Sequence, residues 1–322
     1  MILLDRDEEF YQRALQVSIE PVRWKVLQRL GIELRVRRDD RLDAQLGGNK
    51  AYKLFFNLQA ARAAGLTQVA SFGGPWSNHL HALAAAGKAC GLRTIGLVRG
   101  ERPAVLSATL QDAEAWGMSL CFLPRESYRH QTDDFVAGYL RSEYGEVHVI
   151  PEGGANSEGS RGARVIGRAI EQQLNGCYQQ VCVPCGTGTT LAGIAAGLPA
   201  TKVAVGFSVL KGVGNLGTNI ASAYRGALLP DSPDAFRADN WRLVSGFHGG
   251  GYGKKLPENL LTFWREFELE TGLLLDPVYT LKMFWGIAGL AQQGYWKKGS
   301  LLVAIHTGGL QGRRGFTGQI NW

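Results

Sequence analysis

The chain has 322 residues, of which 45% are hydrophobic and 20% are charged. That composition excludes a disordered chain, and the length suits two domains of about 150 residues each. Lysine and arginine number 35 against 28 aspartates and glutamates, so the net charge is +7. Because the basic residues are scattered, this charge favours a small anionic ligand over a nucleic acid.

The N-terminus and the cysteines favour a cytoplasmic protein. Residues 1–10 lack the apolar core and the cleavage site of a signal peptide, and we expect no membrane span because no run of about 18 apolar residues is present. The cysteines are sparse and odd in number, which fits reduced thiols. Cys182 and Cys185 form a CxxC motif without a second ligand pair nearby, so we expect buried thiols rather than zinc or redox chemistry.

Strand-like apolar runs alternate with helical patterns along the chain. In chain order, strands are predicted at 33–37, 68–71, 94–98, 119–123, 147–150, 180–184, 202–210 and 301–305. Helices are predicted at 52–64, 79–90, 107–116, 133–144, 162–174, 189–197, 218–228, 256–271 and 281–293. This alternation predicts an α/β fold with parallel sheets covered by helices on both faces. Ligands of such sheets bind beyond the carboxyl ends of the strands, so glycine-rich turns that follow strands form the candidate site.

The turn Gly47-Gly48-Asn49-Lys50 precedes the predicted helix 52–64. A lysine at the start of a helix lies at the positive end of the helix dipole, which lowers the pKa of its amine. Such an amine suits a nucleophile that forms a Schiff base. Taken alone, the pattern is also explained by a solvated lysine after a loose turn.

Two further turns can bind anions. In 71–79, Ser77 or Asn78 can cap an alanine-rich helix whose free N–H groups hold a carboxylate, although capping alone also explains the pair. Residues 185–190 combine two glycines, three hydroxyls and a helix start, without the Gly-Lys-Ser/Thr of a P-loop. This pattern favours the single phosphate of a cofactor over an ordinary strand-to-helix turn.

Two glycine motifs near later strands give weaker signals. His306-Thr307-Gly308-Gly309 would let a flat ligand approach the backbone. Residues 212–217 fit GxGxxG, but the acidic residue expected about 20 positions on falls in the loop of Asp231 and Asp234. We therefore interpret 212–217 as a flexible turn, with an NAD-dependent oxidoreductase that uses Gly212–Gly217 as the alternative of another class.

Taken together and in order, these turns resemble those of the fold-type II pyridoxal-phosphate (PLP) enzymes. The most similar branch is the 1-aminocyclopropane-1-carboxylate (ACC) deaminase and D-cysteine desulfhydrase family. The matching motifs cover nearly the whole chain, at 38–40, 47–50, 73–79, 151–154, 186–190, 276–279 and 306–309. The resemblance implies a two-domain, parallel-sheet α/β fold like that of the tryptophan synthase β-subunit. The larger, PLP-binding domain would comprise 1–52 and 153–322, and the smaller domain 53–152.

The resemblance also implies how pyridoxal 5'-phosphate would be held. Lys50 would form the imine with the cofactor, Asn78 would hydrogen-bond the 3-oxygen of the ring, and Thr307 would face the ring nitrogen. A neutral hydroxyl leaves that nitrogen largely unprotonated and the ring a weaker electron sink, which favours loss of a β-leaving group. The residues implied for the phosphate are Gly186, Thr187, Gly188, Thr189 and Thr190.

The substrate carboxylate would be lined by Ser77, Asn78 and His79, and Ser77 could take part in proton transfer. Tyr279 and Tyr252 match active-site tyrosines of the family, which lie near the substrate.

Several other positions bear on substrate choice. Thr280 and Thr307 stand where ACC deaminases carry Glu and Leu, which favours the D-cysteine desulfhydrase side of the family. Trp76 is an unusually bulky neighbour of Ser77 and would reshape the substrate pocket. Tyr52 and His81 replace arginines of the family motifs.

We therefore expect α,β-elimination from a small amino acid: Lys50 removes the α-proton, the β-group leaves, and hydrolysis gives a keto acid and ammonia. ACC deamination is the alternative within the family. We expect a homodimer without a nucleic-acid or membrane partner. No metal is expected, because the spacing of His130, His148 and His248 does not suggest ligation.

Overall fold

The computed structural model describes residues 6–43, 45–46, 48–129, 134–211, 214–228, 239–251 and 255–320, with the backbone alone for 134 and 135. The strands are β1 (Ile19–Pro21), β2 (Glu33–Arg37), β3 (Gln68–Gly73), β4 (Arg93–Arg99), β5 (Ser119–Leu123), β6 (His148–Ile150), β7 (Gln180–Cys185), β8 (Val203–Ser208), β9 (Trp241–Val244) and β10 (Leu301–Ile305). They form a six-stranded sheet in the order β1-β2-β10-β7-β8-β9 and a four-stranded sheet in the order β5-β4-β3-β6. All neighbouring strands are parallel except the edge pair β1 and β2. The predicted α/β fold with parallel sheets is thus confirmed.

The helices of the described ranges are α1 (Asp7–Gln16), α2 (Lys25–Arg29), α3 (Asn49–Ala63), α4 (Asn78–Cys90), α5 (Ala108–Ala115), α6 (Arg125–Arg129), α7 (Asp134–Tyr144), α8 (Ser157–Leu174), α9 (Thr189–Gly197), α10 (Leu216–Ala227), α11 (Glu258–Thr271) and α12 (Thr280–Gln292). Short 3-10 helices span Asp39–Arg41, Glu152–Gly154 and Leu310–Gly315. The central strands β7 and β8 are buried beyond their first residue, because helices cover both faces of the sheet.

The two sheets divide the chain unequally. The four-stranded sheet lies entirely between residues 68 and 150, whereas β10 inserts between β2 and β7 and so joins the two ends of the chain in the larger sheet. The strands therefore fit a smaller domain inserted into a larger one. Boundaries near 53 and 152 stay a prediction.

Helix α8 begins at Ser157, five residues before the predicted start, because its glycines serve close packing rather than helix termination. Asn156 caps the helix, its Oδ1 accepting from the amide of Gly159 at 2.9 Å. A Cβ on Gly162 would lie 1.9 Å from the carbonyl oxygen of Tyr52, so α8 and α3 approach with backbone almost in contact. This close packing fixes the position of α3 against α8.

The described ranges contain no helix long and apolar enough to cross a membrane. Among the same residues, no cluster of three or more His, Cys, Asp or Glu side chains could hold a metal ion. Cys182 and Cys185 are buried free thiols in β7, as predicted, and burial raises the pKa of Cys185 to about 12.

Candidate active site

A cavity of about 260 Å³ lies where the carboxyl ends of strands from both sheets meet. Its wall includes the last residue of β4 and residues that follow β3, β6, β7 and β10, as expected for a ligand site in parallel sheets. Each of the four turns predicted as candidate chemistry contributes to it: Lys50, Ser77, Gly186 and Thr307 all line the cavity. Segments far apart in sequence therefore converge on one space.

Lys50 lies in the first turn of α3, which begins three residues before the predicted start. The preceding Gly48 has a φ of 64°, and a Cβ there would lie 2.3 Å from the carbonyl oxygen of Thr307. The amide of Asn49 donates to the same oxygen at 3.3 Å, and its Nδ2 donates to Thr190 Oγ1 at 3.0 Å. Lys50 is thus tied by its neighbours to both the Thr307 turn and the Thr190 turn.

The amine of Lys50 loses its proton more readily than the amine of an ordinary lysine. Its Nζ donates to Asn49 Oδ1 at 3.1 Å and lies 5.7 Å from the ring centroid of Tyr279. Burial lowers the pKa of Lys50 to about 8, although the carboxylate of Asp276 opposes the shift. A neutral amine is the nucleophilic form, so the site supplies it near neutral pH.

The turn 185–190 forms an anion cradle at the start of α9. Within the described ranges, the amides of Gly186 and Thr187 donate to no protein oxygen. The hydroxyls of Thr187 and Thr189 lie 3.0 Å apart, and Gly188 has a φ of 91°. Free amides, hydroxyls and a helix N-terminus without a carboxylate in the turn suit a phosphate.

Ser77, Asn78 and His79 begin α4 and line the opposite part of the wall. Ser77 caps the helix, its Oγ accepting from the amide of Leu80 at 3.2 Å. Asn78 Oδ1 accepts from Gln311 Nε2 at 2.7 Å, which holds the amide of Asn78 in one orientation.

His79 is buried, and neither ring nitrogen has a partner among the described residues. Burial, followed by the nearby Lys50 and Lys53, holds the pKa of His79 well below its ordinary value. Orphaned ring nitrogens in a cavity wall indicate a site built for a bound polar group.

Two basic residues of the wall were missed in the sequence. Lys53 lies three residues beyond Lys50 on the same face of α3, and its Nζ donates to the carbonyl oxygen of Gly153 at 2.9 Å. Arg99 ends β4 and also lines the cavity. Helical spacing from Lys50 could have found Lys53, and the strand-end rule could have found Arg99.

Other predicted residues lie outside this wall. Thr280 is buried, and its Oγ1 accepts from the amide of Asp276 at 2.8 Å. Trp76 lines a smaller neighbouring pocket and packs against Gly315, where a Cβ would lie 3.0 Å from the indole. Direct substrate contacts of Thr280 and Trp76 therefore stay predictions. Tyr252 lies outside the described residues.

The two residues that replace family arginines have partners away from the cavity. The hydroxyl of Tyr52 donates to Asp39 Oδ1 at 2.8 Å, inside a buried pair with Arg37. His81 Nε2 lies 3.1 Å from Asp112 Oδ2. Neither side chain lines the cavity in the described structure.

Comparison with known proteins decides between the cofactor classes. The sequence pattern of the family described as "Pyridoxal-phosphate dependent enzyme" matches residues 21–308. The chain belongs to this family. It is 30% identical to a mitochondrial bifunctional D-cysteine desulfhydrase/ACC deaminase of Arabidopsis thaliana, covering 88% of this chain and 73% of the relative.

Two further relatives cover nearly the whole chain. A putative ACC deaminase of Thermotoga maritima is 30% identical, with 92% of this chain and 96% of the relative covered. The crystal structure of an ACC deaminase homologue superposes with a TM-score of 0.80 at 26% identity, covering 94% of this chain and 92% of that one. The fold-type II resemblance is thus confirmed in both sequence and structure.

The residues present fit the PLP of this family. The cradle at 186–190 offers free amides to a phosphate, Lys50 offers a partly neutral amine, and Thr307 presents a hydroxyl in the same wall. The competing GxGxxG segment lies partly outside the described residues, at Gly212 and Val213, and family membership favours PLP over NAD.

The lowered pKa of Lys50 predicts how cofactor uptake depends on pH. Because the neutral amine attacks the aldehyde, uptake of PLP by the PLP-free protein should accelerate about tenfold per pH unit below pH 8 and level off above it. Stopped-flow absorbance measures the rate of uptake from about pH 6 to about pH 10, a range that extends close to the ordinary pKa of lysine. A rate that keeps rising until about pH 10 would show an ordinary lysine.

Proposed function

We propose that the protein is a PLP-dependent, D-cysteine desulfhydrase-like lyase that eliminates the β-group of a small amino acid and releases a keto acid and ammonia. The observation that carries the proposal is the convergence of Lys50 and the 186–190 cradle on one cavity whose wall includes the neutral hydroxyl of Thr307. The bifunctional relative from Arabidopsis, named for both D-cysteine desulfhydrase and ACC deaminase, supports it.

The residues of the chain divide the work of this reaction. PLP, when bound, withdraws electrons from the α-carbon and so makes its proton acidic. Lys50 Nζ, with its lowered pKa, takes that proton. The N-terminus of α4 at Ser77 to His79 binds the substrate carboxylate through backbone amides and the helix dipole.

Thr307 favours elimination over chemistry that needs a strong electron sink. A hydroxyl cannot hold a proton on the ring nitrogen as a carboxylate does, so departure of the β-group competes well. Asp276 lies close enough to Lys50 to influence its charge, but its own carboxylate accepts the amides of Tyr279 and Thr280 at 2.6 and 2.9 Å. The carboxylate of Asp276 is therefore occupied by hydrogen bonds from amides at the start of α12.

ACC deamination is the second candidate, because two of the similar proteins carry that activity in their names. Thr280 and Thr307 speak against it on sequence grounds. The position of Thr280 behind the wall means that any influence on substrate choice passes through Asp276.

A substrate panel tests the proposal. Purified protein with PLP is supplied with D-cysteine, L-cysteine, D-serine and ACC, and keto acid, ammonia and sulfide are measured. D-cysteine should give sulfide and keto acid in equal amounts. Turnover of ACC alone would establish the second candidate, and an absence of any cofactor-dependent turnover would overturn the function. As part of the same proposal we place the enzyme in the cytoplasm. We also propose that it is a homodimer, and size-exclusion chromatography with light scattering checks this oligomeric state.

A further inference from the structure

Arg99 adds a third cation to the described cavity wall, besides Lys50 and Lys53. It is the last residue of β4, and it lines the cavity with Ser77 and His79. Gly73 pairs with Val98 across the parallel strands, so Arg99 lies level with the start of the turn that leads to α4. Arg99 therefore lies near the proposed α-carboxylate site.

The guanidinium of Arg99 has no carboxylate partner within the described ranges. Three arginines with little exposed side chain are paired: Arg37 with Asp39 at 3.2 Å, Arg38 with Asp40 at 2.7 Å and Arg313 with Glu268 at 2.5 Å. An unpaired arginine in a concave wall is positioned to bind an anion from solution.

Arg99 is exposed, and its guanidinium has an aromatic contact. Its Cζ lies 5.7 Å from the ring centroid of Tyr128, which is 3% exposed and packs edge-on against Phe72 at 6.0 Å. A cation over an aromatic face keeps its N–H edges free for a ligand. Less side-chain entropy is then lost when an anion binds.

The other charged residues of the described wall are already committed. Lys50 serves the cofactor, and Lys53 is buried and bonded to Gly153. Glu152, the acidic residue among the described lining residues, forms no ion pair with Arg99. Arg99 thus remains for the substrate.

We propose that Arg99 binds an anionic leaving group, and that the substrates include amino acids whose β-carbon carries a phosphate or sulfate ester. The inference rests on the proposed PLP-dependent elimination. In that reaction the Cα–H and Cβ–O bonds break, the electron pair of the Cβ–O bond leaves with the ester oxygen, and water then releases pyruvate and ammonium. Arg99 stabilises the departing anion with charge-assisted hydrogen bonds.

The test compares Arg99→Gln and Arg99→Lys with the wild-type holoenzyme on both enantiomers of O-phosphoserine, serine O-sulfate and β-chloroalanine. The Gln variant should lose about 10- to 100-fold in kcat/KM on the anionic esters and stay within about twofold on β-chloroalanine. The Lys variant should recover part of the loss. Phosphate and sulfate esters in the same assay distinguish the two leaving groups.

Arg102→Gln is the matched control, because Arg102 is exposed, pairs with Glu114 at 2.7 Å and lies outside the cavity wall. It should leave all rates unchanged. A binding readout by calorimetry uses 2-amino-3-phosphonopropionate, which cannot lose its phosphonate. Arg99→Gln should weaken its binding about tenfold and leave alanine binding unaltered.

Three outcomes would overturn the inference. An equal loss on esters and β-chloroalanine would assign Arg99 to the α-carboxylate. Unchanged kinetics in Arg99→Gln would remove it from the substrate site. Wild-type turnover of β-chloroalanine without either ester would refute the anionic class while leaving the elimination intact. The proposed function itself fails only if β-chloroalanine and the amino acids of the substrate panel are also inert.

Discussion

Replacing Lys50 with alanine is expected to lower kcat by more than about 10³-fold, because one side chain supplies both the bond to PLP and the base that takes the α-proton. The protein should still fold, since Lys50 Nζ bonds only to its neighbour Asn49 among the described contacts. Steady-state assays on D-cysteine and thermal melting of the same samples separate the two effects.

Lys53→Met is the matched control for Lys50→Ala. Lys53 lies in the same wall but donates to Gly153, so its removal should leave the bond to PLP in place. Activity in Lys50→Ala that approaches the wild-type rate would show that another group performs the proton transfer.

Gly48→Ala is expected to damage both stability and activity. Gly48 has a φ of 64° and a ψ of −125°, a combination that is open almost only to glycine. A Cβ would also collide with the backbone of Thr307, so the turn before Lys50 must move away from the turn after β10. We expect a loss of about 2–4 kcal/mol in unfolding free energy and at least about a hundredfold loss in kcat/KM.

Gly65→Ala is the control that separates the effect of backbone strain from the effect of the steric clash with Thr307. Gly65 follows the same helix with a φ of 69°, and its Cβ would meet nothing within 4 Å. It should cost only about 1 kcal/mol, measured by urea unfolding, and leave kcat unchanged. Similar losses in the two variants would mean that the contact between Gly48 and Thr307 does not position Lys50.

The sequence was sufficient to predict turns that line one cavity, because most of them directly follow strands. Turns at Lys50, Ser77, Gly186 and Thr307 were predicted separately, and the carboxyl-end rule for parallel sheets explains why the fold brings them together. The elements from 180 to 197 were predicted to within a residue, since they are short, apolar and bounded by glycine.

Elements held by distant contacts were not predicted. Helix α1 and strand β1 are stabilised from other parts of the chain: Arg37 donates to the carbonyl oxygen of Ala14 at 2.6 Å, and Gln173 donates to Leu15 and Val17 at 2.8 Å. No local pattern encodes these partners. The same limit applies to α2, α6 and β9, which are only four or five residues long.

Side-chain contacts also determine the roles of His81 and Thr280, which stand where family members carry other residues. Asp112 pairs with His81, 31 residues away, and with Arg314, 202 residues away. His81 thus serves a bridge between α4, α5 and the C-terminal 3-10 helix. Thr280 was predicted beside the substrate because it follows Tyr279, but the hydroxyl turns back to the amide of Asp276. The sequence neighbours of His81 and Thr280 did not reveal which way either side chain points.

Peptide mapping of the borohydride-reduced holoenzyme tests the central claim most directly. Reduction makes the bond between PLP and its lysine permanent, and mass spectrometry of the digest then identifies the modified residue. The account predicts the cofactor mass on Lys50 and unmodified Lys53. Cofactor found on Lys53, or no reducible bond in protein purified with PLP, would contradict it.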